Sequence, residues 1–305
     1  MDKVSIVTVD YNQPDVTLEL LESLKQQDYD NLEVIVVDNG SKNNSRNRIL
    51  NLYPETIFIR SEKNLGFAGG NNLGIKKATG KYLFFVNNDT EIPSGTISQL
   101  VEAFHQYPDS GAICPVINYY HHPELTQYAG YTPINTLTGR NRAIGYREQV
   151  KLENIVEETS FAHGAAMMVP KVVIRDVGMM PENYFLYYEE LDWAAHMKTH
   201  FYKIRVVKAA YVLHKESVST GKSSPLKTYF QTRNRILFMR RNFGFMNQLA
   251  FYLFFVLLAL PKSTLKFLLR GEVDHLKSFL NGVIWNLREP ISSVRIGYKY
   301  EFLRQ

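Results

Sequence analysis

Residues 4–41 read VSIVTVDYNQPDVTLELLESLKQQDYDNLEVIVVDNGS. Val4–Val9 and Leu32–Val37 are short runs rich in β-branched residues, long enough only for strands, and Asp15–Gln27 between them has helical spacing. Working outward, Thr56–Ile59, Tyr82–Val86 and Ala112–Ile117 read as further strands. The stretches Asn43–Leu52, Ala68–Ala78 and Ser94–Tyr107 read as helices. Alternating strands and helices, with strands apolar throughout, predict an α/β fold whose parallel sheet is covered on both faces. Ligands of such sheets gather at the carboxyl ends of the strands. There the chain carries Asp10-Tyr11-Asn12, Asp38-Asn39-Gly40-Ser41 and Asn87-Asn88-Asp89. One cluster alone is equally well turn or capping chemistry. Three at equivalent strand ends read as a site.

The chain has 305 residues, one cysteine (Cys114), and 35 Lys+Arg against 30 Asp+Glu. A lone cysteine excludes a disulfide framework and a Cys-based zinc site, and suits a reducing compartment. The N-terminus runs straight into a strand, so no cleavable signal is expected. Charge is unevenly spread. Residues 1–197 hold 16 Lys+Arg and 25 Asp+Glu, a balance of −9, whereas residues 198–305 hold 19 and 5, a balance of +14. A basic tail on an acidic body points to an anionic partner, nucleic acid or a phospholipid surface, with a merely soluble basic surface as the bland reading.

Residues 118–160 lose any clear period and read as loops and short strands. Order resumes at Phe161–Val169, followed by a short helix, Tyr184–Tyr188, a helical Glu189–His200, a strand at Lys203–His214 and helices after Pro225. There is no G-x-G, so no dinucleotide fingerprint. Gly74–Lys81 imitates a phosphate loop, but its glycines are six apart and it ends a helix. Asp89, at the end of an apolar strand, suits a metal–diphosphate. Its competing reading is that Asp89 or Thr90 caps the helix beginning near Pro93.

The segments VSIVTVDYN, VIVVDNGS, NLGFAGGNNLG and FFVNNDTE resemble the N-terminal signatures of family-two glycosyltransferases of the GT-A fold. HGAAMMVP, YYEELDW and VLHKESVST follow in the same order, so the likeness spans residues 3–220. The stretch around Asn64–Gly74 is especially like rhamnosyltransferase-type members that build bacterial surface polysaccharides. The resemblance implies a mostly parallel sheet flanked by helices, with a C-terminal helical extension. It implies a catalytic domain over 1–222, divided into a nucleotide-binding half (1–117) and an acceptor and base half (118–222), followed by a basic helical region over 223–305.

It also implies roles. Thr8, Tyr11, Asp38, Asn64, Gly66, Gly69, Gly70, Asn71, Asn87 and Asn88 would bind the nucleotide sugar. Tyr11 would lie against the base, and Asp38 would accept from the ring N–H of a uracil or thymine, hence a UDP- or dTDP-sugar. Asn64–Asn71 would form a loop and helix start near the diphosphate. Asn87-Asn88-Asp89 occupies the place of the family's D-x-D motif with its first Asp replaced by Asn. Asp89 and His214, the latter followed by Ser219-Thr220, would hold Mg2+ or Mn2+. Glu190 stands where the base is usually Asp, with Glu189 second and Asp192 orienting or binding acceptor. Favourable charge at a helix N-terminus is the bland reading of that run. Arg233 and Asn234 would lie near the donor phosphates.

Leu249–Leu260 is twelve apolar residues ended by Pro261, short of the roughly 20 a membrane span needs. With Lys262, Lys266 and Arg270 nearby, it predicts helices lying in a membrane interface; a buried helix or a dimer contact is the alternative. The expected enzyme is cytoplasmic and peripheral on the inner face of the membrane, with a saccharide or polyprenyl-diphosphate-linked acceptor and no nucleic-acid partner. The rivals are a noncatalytic nucleotide-binding scaffold and nucleic-acid binding through the tail.

Overall fold

The computed structural model describes residues 1–215 and 224–298. Ser219, Thr220 and the 222/223 boundary lie outside the described residues. In the first half, β1 (Val4–Asp10), β2 (Leu32–Asp38), β3 (Ile57–Arg60) and β4 (Tyr82–Asn87) alternate with α1 (Pro14–Lys25), α2 (Arg46–Leu52) and α3 (Gly66–Lys77). These strands pair in parallel in the order β3-β2-β1-β4. Ile6, Val7, Ile35, Val36, Phe84 and Phe85 are fully buried, as runs covered on both faces must be. Helix α3 reaches the sheet closely because it presents glycines: a Cβ on Gly70 would stand 2.8 Å from Val9, and one on Gly74 2.3 Å from Val7.

The second half contains β5 (Thr90–Glu91), α4 (Thr96–Gln106), β6 (Ser110–Tyr119), β7 (Thr126–Tyr128), β8 (Val156–Thr159), β9 (Ala166–Pro170), α5 (Lys171–Val177), α6 (Glu189–Thr199) and β10 (Lys203–His214). The pattern-poor 118–160 stretch is loops and short strands, as its composition predicts. Parallel order breaks in the second half, where β5, β7, β8 and β9 all pair antiparallel. Strand β9 inserts antiparallel between β4 and β6, and β10 then pairs in parallel with β6. A strand buried on both faces looks alike in either direction, and all five residues of β9 are buried.

Register gathers the polar clusters. Asp10 pairs with Asp38 and Val9 with Asn87, so three strand ends finish on one edge. On the far side of the sheet His214 opposes Thr90, and the Lys215 N–H donates to the Asp89 carbonyl at 2.9 Å. The competing cap role of Asp89 is not seen: α4 begins after Gly95, without a side-chain cap.

Helix α7 (Pro225–Asn242) packs into the main core through Leu237 and Phe238. Helix α8 (Phe245–Phe254) runs through a π-helical turn (Phe255–Ala259) into α9 (Leu260–Leu269), and α10 (Val273–Arg288) packs back on α7. Pro261 therefore does not stop the helix. Its ring crowds the carbonyl four residues earlier, Leu257, which sits in the π turn, where the hydrogen bonds are already shifted. The result is a continuous apolar helix of 25 residues, Phe245–Leu269, almost all of it exposed.

Candidate active site

A cleft of about 380 Å³ opens at this edge. The loops around it are tied by amides. The Asn12 N–H donates to Ser41 Oγ and the Lys42 N–H to Asn12 Oδ1, each at 2.8 Å, joining the ends of β1 and β2. Asn39 organises the next loop: its Nδ2 donates to Asn64 Oδ1 and Gly66 O, and its Oδ1 accepts from the Leu65 N–H. Gly66 has φ +75°, and a Cβ there would stand 2.2 Å from Phe185 O, so only glycine fits. The N–H groups of Leu65, Gly66 and Phe67 are all engaged within the protein, by Asn39, Asn64 and Phe185. The entry of α3 therefore offers a diphosphate fewer free amides than its glycines imply. Polar side chains remain: Tyr11, Asn64, Asn71, Asn87, Asn88 and, from α7, Lys227 all line the cleft.

Opposite them, His214 Nε2 lies 3.1 Å from Asp89 Oδ1. Gln127 sets the histidine's tautomer. Its Nδ2-equivalent amide nitrogen, Nε2, donates to the His214 carbonyl at 3.0 Å, which leaves Oε1 to accept from Nδ1 at 2.8 Å. A singly protonated ring would therefore carry its proton on Nδ1 and turn the Nε2 lone pair toward Asp89. Asp89 Oδ1 is buried without a hydrogen-bond partner. Two acceptors facing one point, an imidazole nitrogen and an orphaned carboxylate oxygen, fit a divalent metal. Among the described residues no group of three or more His, Cys, Asp or Glu could hold one. The remaining coordination positions would fall to diphosphate oxygens and water.

The carboxylates of α6 enter from the third side. Glu189 is 3 % exposed, and its Oε2 has no partner. Burial, aided by the neighbouring Glu190, pushes its pKa well above the ordinary carboxylate value, favouring the protonated form. Glu190 opens to the cleft, its Cδ 3.9 Å from where a Cβ on Gly164 would stand. Burial raises its pKa to about 7. The loop before α6 is strained, with φ of 65°, 70° and 76° at Phe185, Tyr187 and Tyr188, all bulky residues.

That strain is held by Arg233 and Asn234. Both are fully buried. Asn234 Nδ2 donates to the carbonyls of Tyr184, Leu186 and Tyr187 at 3.0, 2.7 and 2.8 Å. The Arg233 guanidinium donates to Asn183 O at 2.6 Å and Tyr184 O at 3.1 Å. The pair thus grips the loop that presents the carboxylates, rather than reaching a phosphate.

Other predicted residues also sit elsewhere. Asp192 is bound by Arg241, Asn242 and Tyr184, tying α6 to α7, and does not line the cleft. An acceptor role for it is corrected on that ground. Thr8 is fully buried within β1, and Gly69 and Gly70 serve close packing against Leu65 and Val9; none lines the cleft. Asp38 is fully buried just beneath it, Oδ1 accepting from the Ser41 N–H at 2.8 Å and Oδ2 3.4 Å from Arg60.

Sequence reasoning missed Gln127, His163 and Lys227, and it read Asn39 only as part of a strand-end cluster. His163 stacks on Tyr131, the rings 11° from parallel, and its Nδ1 accepts from the Ala165 N–H. Burial pulls its pKa down to about 3, so it is a neutral Nε2–H donor in the cleft. Its place in HGAAMMVP was the available signal; Gln127, in the period-free stretch, had none.

Residues 5–177 match the family described as Glycosyl transferase family 2. A low-salt glycan biosynthesis hexosyltransferase, Agl10, of Haloferax volcanii is 27% identical over 78% of this chain and 75% of its own length. An N-acetylglucosaminyl-diphospho-decaprenol L-rhamnosyltransferase of Mycobacterium tuberculosis is 23% identical over 72% of this chain and 78% of its own. Among solved structures, the mannosyltransferase PcManGT from Pyrobaculum calidifontis, in complex with GDP-Man and Mn2+, superposes with a TM-score of 0.59. It is 13% identical, over 94% of this chain and 87% of that one. The fold is GT-A.

Proposed function

The chain belongs to glycosyl transferase family 2, and from that membership and the cleft we propose an inverting hexosyl transfer from a UDP- or dTDP-sugar. The leading donor is dTDP-rhamnose, with UDP-glucose or UDP-galactose second. The acceptor is a saccharide or a polyprenyl-diphosphate-linked sugar of bacterial surface polysaccharide assembly. The lipid-linked substrate and rhamnosyl group in the mycobacterial relative's name support this choice. The observation that carries the reading is one cleft lined by Asp89, His214 and Glu190, the last with a pKa near 7.

Tyr11 and the Asn39–Asn64 loop would hold the nucleotide, over residues 1–117. Residues 118–222 would supply the acceptor side. Glu190 takes the proton of the acceptor hydroxyl as that oxygen attacks the anomeric carbon, and the bond to the nucleoside diphosphate breaks on the opposite face. The raised pKa of Glu189 favours its protonated form, which limits the negative charge beside the incoming oxygen. Lys227 offers a cation at the cleft wall for the departing diphosphate. Asp89 and His214 would hold Mg2+ or Mn2+, which supplies Lewis-acid neutralisation of that diphosphate. The basic half with its exposed apolar helix supports a cytoplasmic enzyme, peripheral on the inner face of the membrane. Cations interleaved with apolar surface fit lipid and not nucleic acid.

The test is nucleoside-diphosphate release from a panel of UDP- and dTDP-sugars, with and without Mg2+ or Mn2+. Glu190→Gln is expected to abolish transfer and keep UDP binding. Turnover by a folded Glu190→Gln would move the base elsewhere, and no release from any donor would leave a noncatalytic scaffold.

A further inference from the structure

Arg235 is 6 % exposed, its Nε has no hydrogen-bond partner, and no carboxylate pairs with it among the described residues. A nearly buried guanidinium without an anion is costly. Its compensation is the Phe255 ring, 5.0 Å from Cζ. A second cation stands beside it instead of a counter-charge. The Gly139-Arg140 turn lies directly on Arg235, whose Cγ is 3.1 Å from where a Cβ on Gly139 would stand. Arg140 is exposed and forms no ion pair among the described residues. Burial, with the Arg140 charge second, lowers the Arg235 pKa to about 10, so Arg235 remains cationic at neutral pH. The next side chain, Asn141, buries an Nδ2 without an acceptor.

Position gives these donors a purpose. Tyr188, which immediately precedes Glu189 and Glu190, donates its hydroxyl to Gly139 O at 3.3 Å. On the other side Phe255 opens the π turn of the exposed apolar helix. The order in space is carboxylate, tyrosine, paired arginines, apolar helix. A prenyl-diphosphate-linked sugar has the same order: hydroxyl, diphosphate, hydrocarbon. We propose that Arg235 and Arg140 form the seat of the acceptor's diphosphate, gripping it with two forks while the prenyl chain lies along α8 and α9. This rests on the proposed lipid-linked acceptor and assigns its anionic group a site separate from the donor's.

The test is titration calorimetry of the full chain with farnesyl diphosphate, farnesol and inorganic pyrophosphate. UDP is saturating and EDTA present, so that Asp89 and His214 cannot hold a metal–diphosphate. Farnesyl diphosphate is expected to bind more tightly than either fragment, and Arg140→Ala to weaken it at least tenfold. Arg235→Lys, which keeps charge but loses the fork, should weaken it similarly with the melting temperature followed alongside. Should that variant not fold, the exposed Arg140 carries the test. Unchanged affinity in Arg140→Ala overturns the proposal. So does pyrophosphate binding as tightly as farnesyl diphosphate, which marks a free-anion site, or farnesol doing so, which marks an apolar one. Donor turnover is measured separately. A chain that turns over nucleotide sugars without this binding loses only the anion seat; one with the binding and no turnover loses only the transferase reading.

Discussion

Glu189 and Glu190 are adjacent in sequence but differ in chemistry because successive helical residues point about 100° apart. Both line the cleft, but Glu189 is the more deeply buried and its pKa is pushed well up, whereas Glu190 titrates near 7. A base acts only when ionised, so kcat/KM is expected to rise with pH through about 7 and then level off. The stability sign is opposite. A pKa raised above the ordinary 4.5 means the folded chain holds a proton that the unfolded chain has lost. Ionised Glu190 therefore destabilises the fold increasingly from about pH 4.5 to 7 and fully above it. Glu190→Gln should melt higher than the parent at pH 8 and converge with it at acid pH. A pH–rate profile flat between 6 and 8, measured with saturating metal, would remove Glu190 from the role of base. Residue identity was legible here because the acidic run stands in an ordered motif. It misled at Thr8, Gly69, Gly70 and Asp192, where the motif is present but packing and ion pairs, made with residues far along the chain, engage it.

Elements meet at the loop 183–188, and no single one of them explains its shape. Three bulky residues with positive φ cost of order 1–3 kcal/mol each. They persist because α7 supplies Asn234 to three carbonyls and Arg233 to two. Helix α10 supports α7 in turn, Asn286 Nδ2 donating to the Arg233 carbonyl at 2.9 Å. Asn234→Ala removes a donor from all three carbonyls, of which Tyr184 O keeps Arg233 and the Leu186 N–H, and is expected to destabilise by roughly 1–3 kcal/mol, the cost of stranding buried polar groups. Transfer should fall more than tenfold, because the clamped loop leads directly into Glu189 and Glu190; UDP binding is measured alongside, since Phe185 of the same loop abuts Gly66. Denaturant melts and kinetics check both; full activity with lowered stability would separate the clamp from catalysis. The strands and α6 were legible from apolar runs and spacing. The clamp was not, because Arg233-Asn234 lies 46 or more residues from the carbonyls it holds, and nothing local marks a buried arginine. The direction of β9 was hidden for a related reason: a strand buried on both faces has no polar edge to orient it.

At the scale of the whole molecule, the acidic body and the basic remainder share one structure, and α7 is the join. The exposed surface of α8 and α9 carries Leu253, Leu257, Leu265 and Leu268, each more than half exposed, with Lys262, Lys266 and Arg270 among them. Cutting the chain at residue 246 is a poor test of membrane binding, because it also removes α10, which packs so closely on α7 that a Cβ on Gly282 would stand 3.0 Å from the Tyr229 carbonyl. Surface substitutions leave that packing intact. Fully burying a leucine contributes about 1.5–3 kcal/mol, and each cation near an anionic headgroup about 1 kcal/mol. Leu253→Glu with Leu257→Glu removes two such contacts and adds two repelling charges. The pair is expected to weaken binding to anionic liposomes by far more than tenfold without moving the melting temperature. Sedimentation with vesicles measures this, and raising salt should weaken the parent's binding only in part, because the apolar contribution is not screened. Unaltered sedimentation of the double variant would reassign the helix to a protein contact and detach the membrane from the acceptor side of the cleft.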